Sequence, residues 1–244
     1  MEHTEYVKIF ENSENAVLMV HGILGTPRHF DAILPLIPDG WSIYNILLDG
    51  HGGTASDFSK TSMKKWRSQV KNTLEALCRT HKNVYIIAHS MGTLLSIEAA
   101  LSHKDKIKAM VLLACPLKAG VKLRMVKNSL GIIFDKIDDA DAYALATKNA
   151  TSVKTDKRLW IYVGYIPRFI ELLSYIRVIR KTILSVDIPC YVFQSGNDEL
   201  VSTKSLKYIK ANDKLTVSVL ENSGHFYYES EEFKTIANTL KKIL

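Results

Sequence analysis

Four apolar runs of strand length recur along the first half of the chain: Ala16 to Val20, Ser42 to Leu48, Val84 to Ala88 and Ile107 to Ala114. They are rich in Val, Ile and Leu and lack polar alternation, the pattern of strands buried on both faces, and they predict a parallel sheet covered by helices. Between them, Trp66, Val70, Leu74 and Leu77 fall at i, i+4, i+8 and i+11, one apolar stripe on an otherwise polar helix. Strand and helix alternate, which predicts an α/β fold. After Pro116 the rhythm breaks for about 70 residues. Helical stretches around Val121 to Phe134, Asp138 to Thr147 and Pro167 to Lys181 follow one another there without a strong strand. The alternation then resumes, with strands Tyr191 to Gln194 and Leu215 to Leu220 and helices Ser202 to Lys210 and Glu231 to Leu244. On the last helix, Phe233, Ile236, Ala237, Leu240, Ile243 and Leu244 share one face. The expected organisation is a core of residues 1–116 and 187–244 with a helical cap, residues 117–186, inserted into it.

A chain of 244 residues supports one core, so two independent domains are not expected. No stretch approaches the roughly 18 uncharged apolar residues of a membrane span. The start, Met1-Glu2-His3-Thr4-Glu5, carries acids where a secretory signal needs a basic segment followed by an apolar one. Cys78, Cys115 and Cys190 are odd in number, sit in apolar stretches and form no C-x-x-C pair, so they read as reduced core thiols of a cytoplasmic protein. No Cys/His cluster has metal-ligand spacing, and no glycine-rich phosphate loop is present, which leaves no metal or nucleotide site to expect. The net charge is +7, and residues 118–181 carry all of it, with 13 Lys and Arg against 6 Asp and Glu.

The sharpest chemical signal is Ile87-Ala88-His89-Ser90-Met91-Gly92-Thr93, where a buried strand ends and a helix bearing Leu94, Leu95, Ile97 and Ala100 begins. A serine hydroxyl is a poor nucleophile, and a tight strand-to-helix turn flanked by small residues holds it exposed while aiming the next amide, that of Met91, at a developing oxyanion. Ala88 stands where the first glycine of such a turn is usual. The base is expected on a loop after a later strand, and His225, in Ser223-Gly224-His225-Phe226, follows the strand ending near Leu220. Asp198, after the strand Tyr191 to Gln194, is expected to orient that imidazole, with adjacent Glu199 as its rival. A second oxyanion donor is expected where His21-Gly22-Ile23-Leu24-Gly25 ends the first apolar run, from the amide of Ile23. His21 is expected to tuck beneath that turn in a structural role.

Together, His21-Gly22 through Gly25-Thr26-Pro27, Asp49-Gly50-His51-Gly52, Ala88-His89-Ser90-Met91-Gly92, Gly196-Asn197-Asp198 and Ser223-Gly224-His225 resemble the α/β-hydrolase superfamily, in its carboxylesterase and monoacylglycerol lipase branch. The resemblance covers residues from about 16 to 244 outside the cap. It implies a mostly parallel central sheet flanked by helices with the cap inserted after the sixth strand. It also implies Ser90 as nucleophile, Asp198 as acid, His225 as base, the Ile23 and Met91 amides as oxyanion hole, a structural Asp49 to Gly52 turn and no cofactor. The expected reaction is hydrolysis of a small-molecule carboxylic ester, with a small to medium acyl chain or a monoacylglycerol-like lipid as substrate, through an acyl-enzyme. A thioesterase, an amidase or peptidase, a carbon–carbon bond hydrolase and a non-turnover sensor are the alternatives on the same scaffold.

Substrate choice is expected to reside in the cap, because insertions shape the pocket while core strands supply the chemistry. Leu24, Trp160, Phe169, Val201 and Phe226 are the expected substrate-binding residues. Within the cap, Trp160, Tyr162, Tyr165, Phe169, Leu172, Leu173 and Ile176 form an apolar set that either packs the cap onto the sheet or lines an acyl pocket above Ser90. The cap's Lys and Arg residues are either a solvated face or a contact for anionic substrates or a membrane surface. No nucleic-acid module and no stable membrane insertion are expected, and the protein is expected to be a monomer or a homodimer.

Overall fold

A computed structural model describes residues 3–138 and 140–244. Its sheet has seven strands: β1 (Tyr6–Lys8), β2 (Asn15–Val20), β3 (Ser42–Ile46), β4 (Asn83–His89), β5 (Ile107–Leu113), β6 (Cys190–Ser195) and β7 (Leu215–Leu220). Their spatial order is β1-β3-β2-β4-β5-β6-β7, parallel throughout except for the antiparallel pairing of β1 with β3. The helices are α1 (Ala55–Lys60), α2 (Met63–Thr80), α3 (Met91–Ala100), α4 (Leu123–Ile133), α5 (Ala142–Ala150), α6 (Ile166–Thr182), α7 (Ser205–Ile209) and α8 (Ser230–Ile243).

The unbroken apolar runs have a direct structural cause. Alternate residues of each strand enter two separate cores, one on each face of the sheet. Leu18 and Val20 of β2, Ile86 and Ala88 of β4 and Leu112 of β5 pack against Trp66, Val70 and Leu74 of α2, against α3, and against Tyr175, Ile176 and Ile179 of α6. Val17 and Met19 of β2, Ile87 of β4 and Val111 and Leu113 of β5 pack against Phe30, Ile33 and the Ile236 and Leu240 positions of α8. The stripe read from Trp66 to Leu77 is the buried face of α2.

The helical insertion begins after the fifth strand of the chain, not the sixth. Antiparallel structure at the edge consists of β1 alone, because the polar run Glu11 to Asn15 makes a turn, with the Ser13 amide donating to the Phe10 carbonyl at 3.1 Å. Three residues, all exposed, give β1 no periodicity to betray it. Helix α1 also escapes the apolar pattern; Thr54 and Asp57 start it by exchanging backbone hydrogen bonds in a capping box. Between β5 and β6 lie α4, α5, a 3-10 segment (Leu159–Tyr165) and α6. Helix α5 begins four residues later than its pattern suggests, because the Asp141 carboxylate accepts the amides of Tyr143 and Ala144 and fixes the start there. Among the described residues no helix is long and apolar enough to cross a membrane.

The chain leaves β2 toward β3 on one side and returns to β4 on the other. In an open parallel sheet the crevice beyond the carboxyl ends of strands at such a reversal is where ligands bind. Here that crevice is walled by the residues following β2 and β4, Gly22 and Ser90.

Candidate active site

Ser90 occupies the single residue between β4 and α3, at φ 52° and ψ −125°. That left-handed backbone costs a side-chain-bearing residue about 1–3 kcal/mol. Its surroundings hold it there: the Ser90 amide donates to the Leu113 carbonyl at 2.9 Å, and the Ser90 carbonyl accepts the Thr93 amide at 2.9 Å and the Thr93 hydroxyl at 2.7 Å. Gly92 makes the turn possible, since a Cβ there would lie 2.1 Å from the Val20 carbonyl oxygen. Gly22 faces the serine so closely that a Cβ on it would lie 2.8 Å from Ser90 Cβ.

Two later loops bring Asp198 and His225 together. Asp198, fully buried, accepts the amides of Leu200 and Val201 at 2.8 and 2.7 Å through Oδ1. Both of its oxygens stand 2.9–3.0 Å from His225 Nδ1, which fixes the proton on Nδ1 and leaves Nε2 as the basic nitrogen. Glu199 is also buried, but its Oε2 accepts the backbone amide of His225 at 2.8 Å and does not reach the ring. The pair of neighbouring acids thus divides its work, one holding the imidazole and the other the chain beneath it. The His225 ring packs against that of His89, 4.7 Å between centroids, and the His89 Nε2–H donates to the His225 carbonyl at 2.9 Å. Among the described residues Ser90 Oγ makes no hydrogen bond with His225 Nε2, a spacing that serine–histidine pairs without substrate commonly show.

Beside the serine, the amides of Ile23 and Met91 donate to no protein acceptor among the described residues. The Ile23 loop is held rigid by its next residue. Leu24 has φ 57°, gives its amide to His51 Nε2 at 3.0 Å and accepts the Ser152 amide on its carbonyl at 2.9 Å. His51 in turn points Nδ1 at the Leu48 and Asp49 carbonyls, 3.1 and 3.2 Å away. His21 donates through Nδ1 to the Gly22 carbonyl and accepts the Leu48 amide on Nε2. Both rings therefore serve as neutral acceptors. Burial pushes the His51 pKa down to about 4 and that of His21 well below its ordinary value. His29 stacks on His89 at 3.9 Å, and burial followed by the charge of nearby His225 lowers its pKa to about 3.

A cavity of about 260 Å³ opens beside this loop, walled by Ile23, Leu24, Leu200 and Phe226 from the core and by Met125, Ile132, Ile133, Tyr162, Tyr165 and Phe169 from the segment between β5 and β6. No charged side chain lines it. Of the expected pocket residues, Leu24, Phe169 and Phe226 face the cavity. Trp160 does not: it stands 69% exposed on the outside of the 3-10 segment, where no packing partner draws it inward. Val201 is buried outside the lining, pairing with Ala119 and giving its amide to Asp198. Sequence reasoning missed Met125, Ile132 and Ile133, whose helix carries apolar residues on two faces, so periodicity alone does not say which looks inward. It also missed the second tasks of His51 and Glu199. The first had a signal in Asp49-Gly50-His51-Gly52; the second had none. Among the described residues no group of three or more His, Cys, Asp or Glu is arranged to hold a metal ion.

Comparison with known proteins agrees with this architecture. A thermostable monoacylglycerol lipase from Bacillus sp. (strain H-257) is 28% identical over 96 residues, and the match spans 39% of this chain and 38% of the lipase. Among solved structures, a metagenome-derived lipolytic enzyme of the LipS and LipT pair superposes with TM-score 0.74 at 16% identity, over 99% of this chain and 98% of its own. A monoacylglycerol lipase from Paleococcus ferrophilus gives TM-score 0.67 at 19% identity, over 98% and 99% of the two chains. At these identities the superpositions establish a shared fold. The family model described as "Serine aminopeptidase, S33" matches residues 11–226, nearly the whole chain, and the protein belongs to that family of α/β hydrolases.

Proposed function

We propose that this protein is a serine hydrolase that cleaves carboxylic esters with an apolar acyl chain, residues 117–186 acting as a cap over the site. The observation that carries the reading is the buried Asp198–His225 pair, with Nδ1 protonated and Nε2 basic, at the same sheet edge as a serine held in left-handed backbone. In this reading Nε2 of His225 takes the Ser90 proton as the hydroxyl attacks the ester carbonyl, and Asp198 stabilises the imidazolium. The oxygen that gains charge accepts the amides of Ile23 and Met91, each such donor supplying about 3–4 kcal/mol to the transition state. His225 then protonates the departing alcohol. A water deprotonated by the same nitrogen releases the acid from Ser90.

The cavity supports the acyl preference. Its wall is mostly aliphatic and aromatic, with the hydroxyl side chains of Ser129, Thr147, Thr151 and Thr155 among them, and a chain laid along its apolar part gains about 0.8 kcal/mol for each methylene removed from water. An aminopeptidase needs an acid to hold the substrate's terminal ammonium, and the cavity wall offers none. The lipase relatives point in the same direction as the cavity. Hydrolysis of p-nitrophenyl esters from acetate to palmitate, by the protein and by Ser90→Ala, tests the proposal. Turnover with an optimum in chain length, lost by about 10⁴-fold or more in the variant, is expected. A Ser90→Ala protein that kept its turnover would sink it.

A further inference from the structure

Among the described residues, every large apolar side chain that is exposed lies between Val121 and Leu184, apart from Tyr6, Val7 and Ile9. Their arrangement is regular. On α4, Leu123, Val126 and Leu130 recur at i, i+3 and i+7 and face solvent, Leu123 with 83% of its surface exposed. On α6, Ile166, Ile170 and Leu173 do the same at i, i+4 and i+7. Neither stripe is the face that holds its helix in the fold. Met125 and Asn128 are buried beneath α4, and Tyr175, Ile176 and Ile179 beneath α6. Trp160 and Val163 extend the apolar surface along the 3-10 segment. Apolar side chains exposed singly need no explanation, whereas rows of them repeated along two helices mark surface that something else covers.

The charge says what covers it. The whole net charge of the chain, +7, is carried by residues 118–181. By the helical repeat Lys127 falls on the outer face of α4 and Arg177 on that of α6. Both, with Lys181, are exposed and form no ion pair with any acid among the described residues. A second copy of the chain would set these cations against one another, whereas an anionic lipid surface accepts the cations at its headgroups and the apolar stripes between its chains. An exposed indole such as that of Trp160 suits the same boundary. The cavity lies on the inner side of these helices: Ile132 and Ile133 of α4 line it, and Phe169, 39% exposed, belongs both to its wall and to the outer surface of α6.

We propose that the outer faces of α4 and α6 form a docking surface for lipid bilayers that carry anionic headgroups. The proposal does not rest on turnover at Ser90, and its test reads binding alone. The purified full chain is sedimented with extruded vesicles of phosphatidylcholine, or of equal parts phosphatidylcholine and phosphatidylglycerol. It is expected to pellet with the anionic vesicles, far less with the zwitterionic ones, and less again at high salt. Leu123→Ser/Val126→Ser/Leu130→Ser, and separately Ile170→Ser/Leu173→Ser, are expected to lower the bound fraction roughly tenfold while keeping the thermal midpoint. Lys127→Glu/Arg177→Glu/Lys181→Glu is expected to abolish the preference for anionic vesicles, and Val7→Ser/Ile9→Ser to change nothing. Absence of binding to either vesicle overturns the proposal, as does binding that the α4, α6 and charge variants all leave intact. A concentration-dependent dimer in light scattering that the α4 variant dissolves also overturns it, by assigning the face to a second copy.

Discussion

The sheet and the segment between β5 and β6 are built on opposite terms. Outside the segment, acids and bases balance, and among the described residues exposed large apolar side chains are confined to the N-terminal Tyr6, Val7 and Ile9. Strands are apolar because both of their faces are buried. In the segment, bases outnumber acids two to one, and helices α4 and α6 are apolar on the side that faces water as well as the side that faces the fold. The core has spent its apolar residues on stability, so substitutions there act on folding. The segment has surplus apolar surface, and substitutions of its exposed side chains are expected to act on what the protein binds.

The hardest blow to the core side of that contrast is Gly92→Ala. A methyl group 2.1 Å from a backbone oxygen of β2 has no room to settle, and we expect a loss above about 3 kcal/mol, visible as failure to fold or as a collapsed denaturant midpoint. Acid comes next. In the folded protein His51 stays neutral to about pH 4 and His29 to about pH 3, while the unfolded chain takes up protons near 6.5. The unfolded state therefore binds more protons throughout that window. Their contribution to stability is complete above pH 6.5 and is lost as pH falls toward 4, at up to about 1.4 kcal/mol per pH unit for each imidazole. Chemical denaturation at pH 7 and pH 5 reads this directly, and an unchanged midpoint would refute it.

Substitutions of the segment's exposed or cavity-lining residues should leave stability nearly alone, unlike those of Tyr175, Ile176 and Ile179, which belong to the core. Ile133→Trp narrows the cavity from its α4 side, so long-chain esters should lose roughly 10- to 100-fold in kcat/KM while acetate keeps its rate; equal losses along the ladder would place the acyl chain elsewhere. Trp160→Ala gives the smallest effect. An indole standing 69% exposed makes few packing contacts, and its removal should move stability by no more than about 0.5 kcal/mol by thermal unfolding.

The amino-acid sequence alone determined the layer architecture, because strands sandwiched between two cores must be continuously apolar and helices packed on one side must be striped. It also determined the elbow, since a small residue before Ser90 and Gly92 after it are local requirements of the turn. Asp198 and His225 were legible from their places after β6 and β7. The three-residue β1 was not, because an exposed edge strand has no burial pattern to read. Nor was the task of Glu199, because only the loop's conformation sets that carboxylate beneath the His225 backbone amide. Trp160 looked like a pocket residue by composition. Only the packing of α4 decided that the wall includes Met125, Ile132 and Ile133, because a helix apolar on two faces does not say which one turns inward until a neighbour covers it.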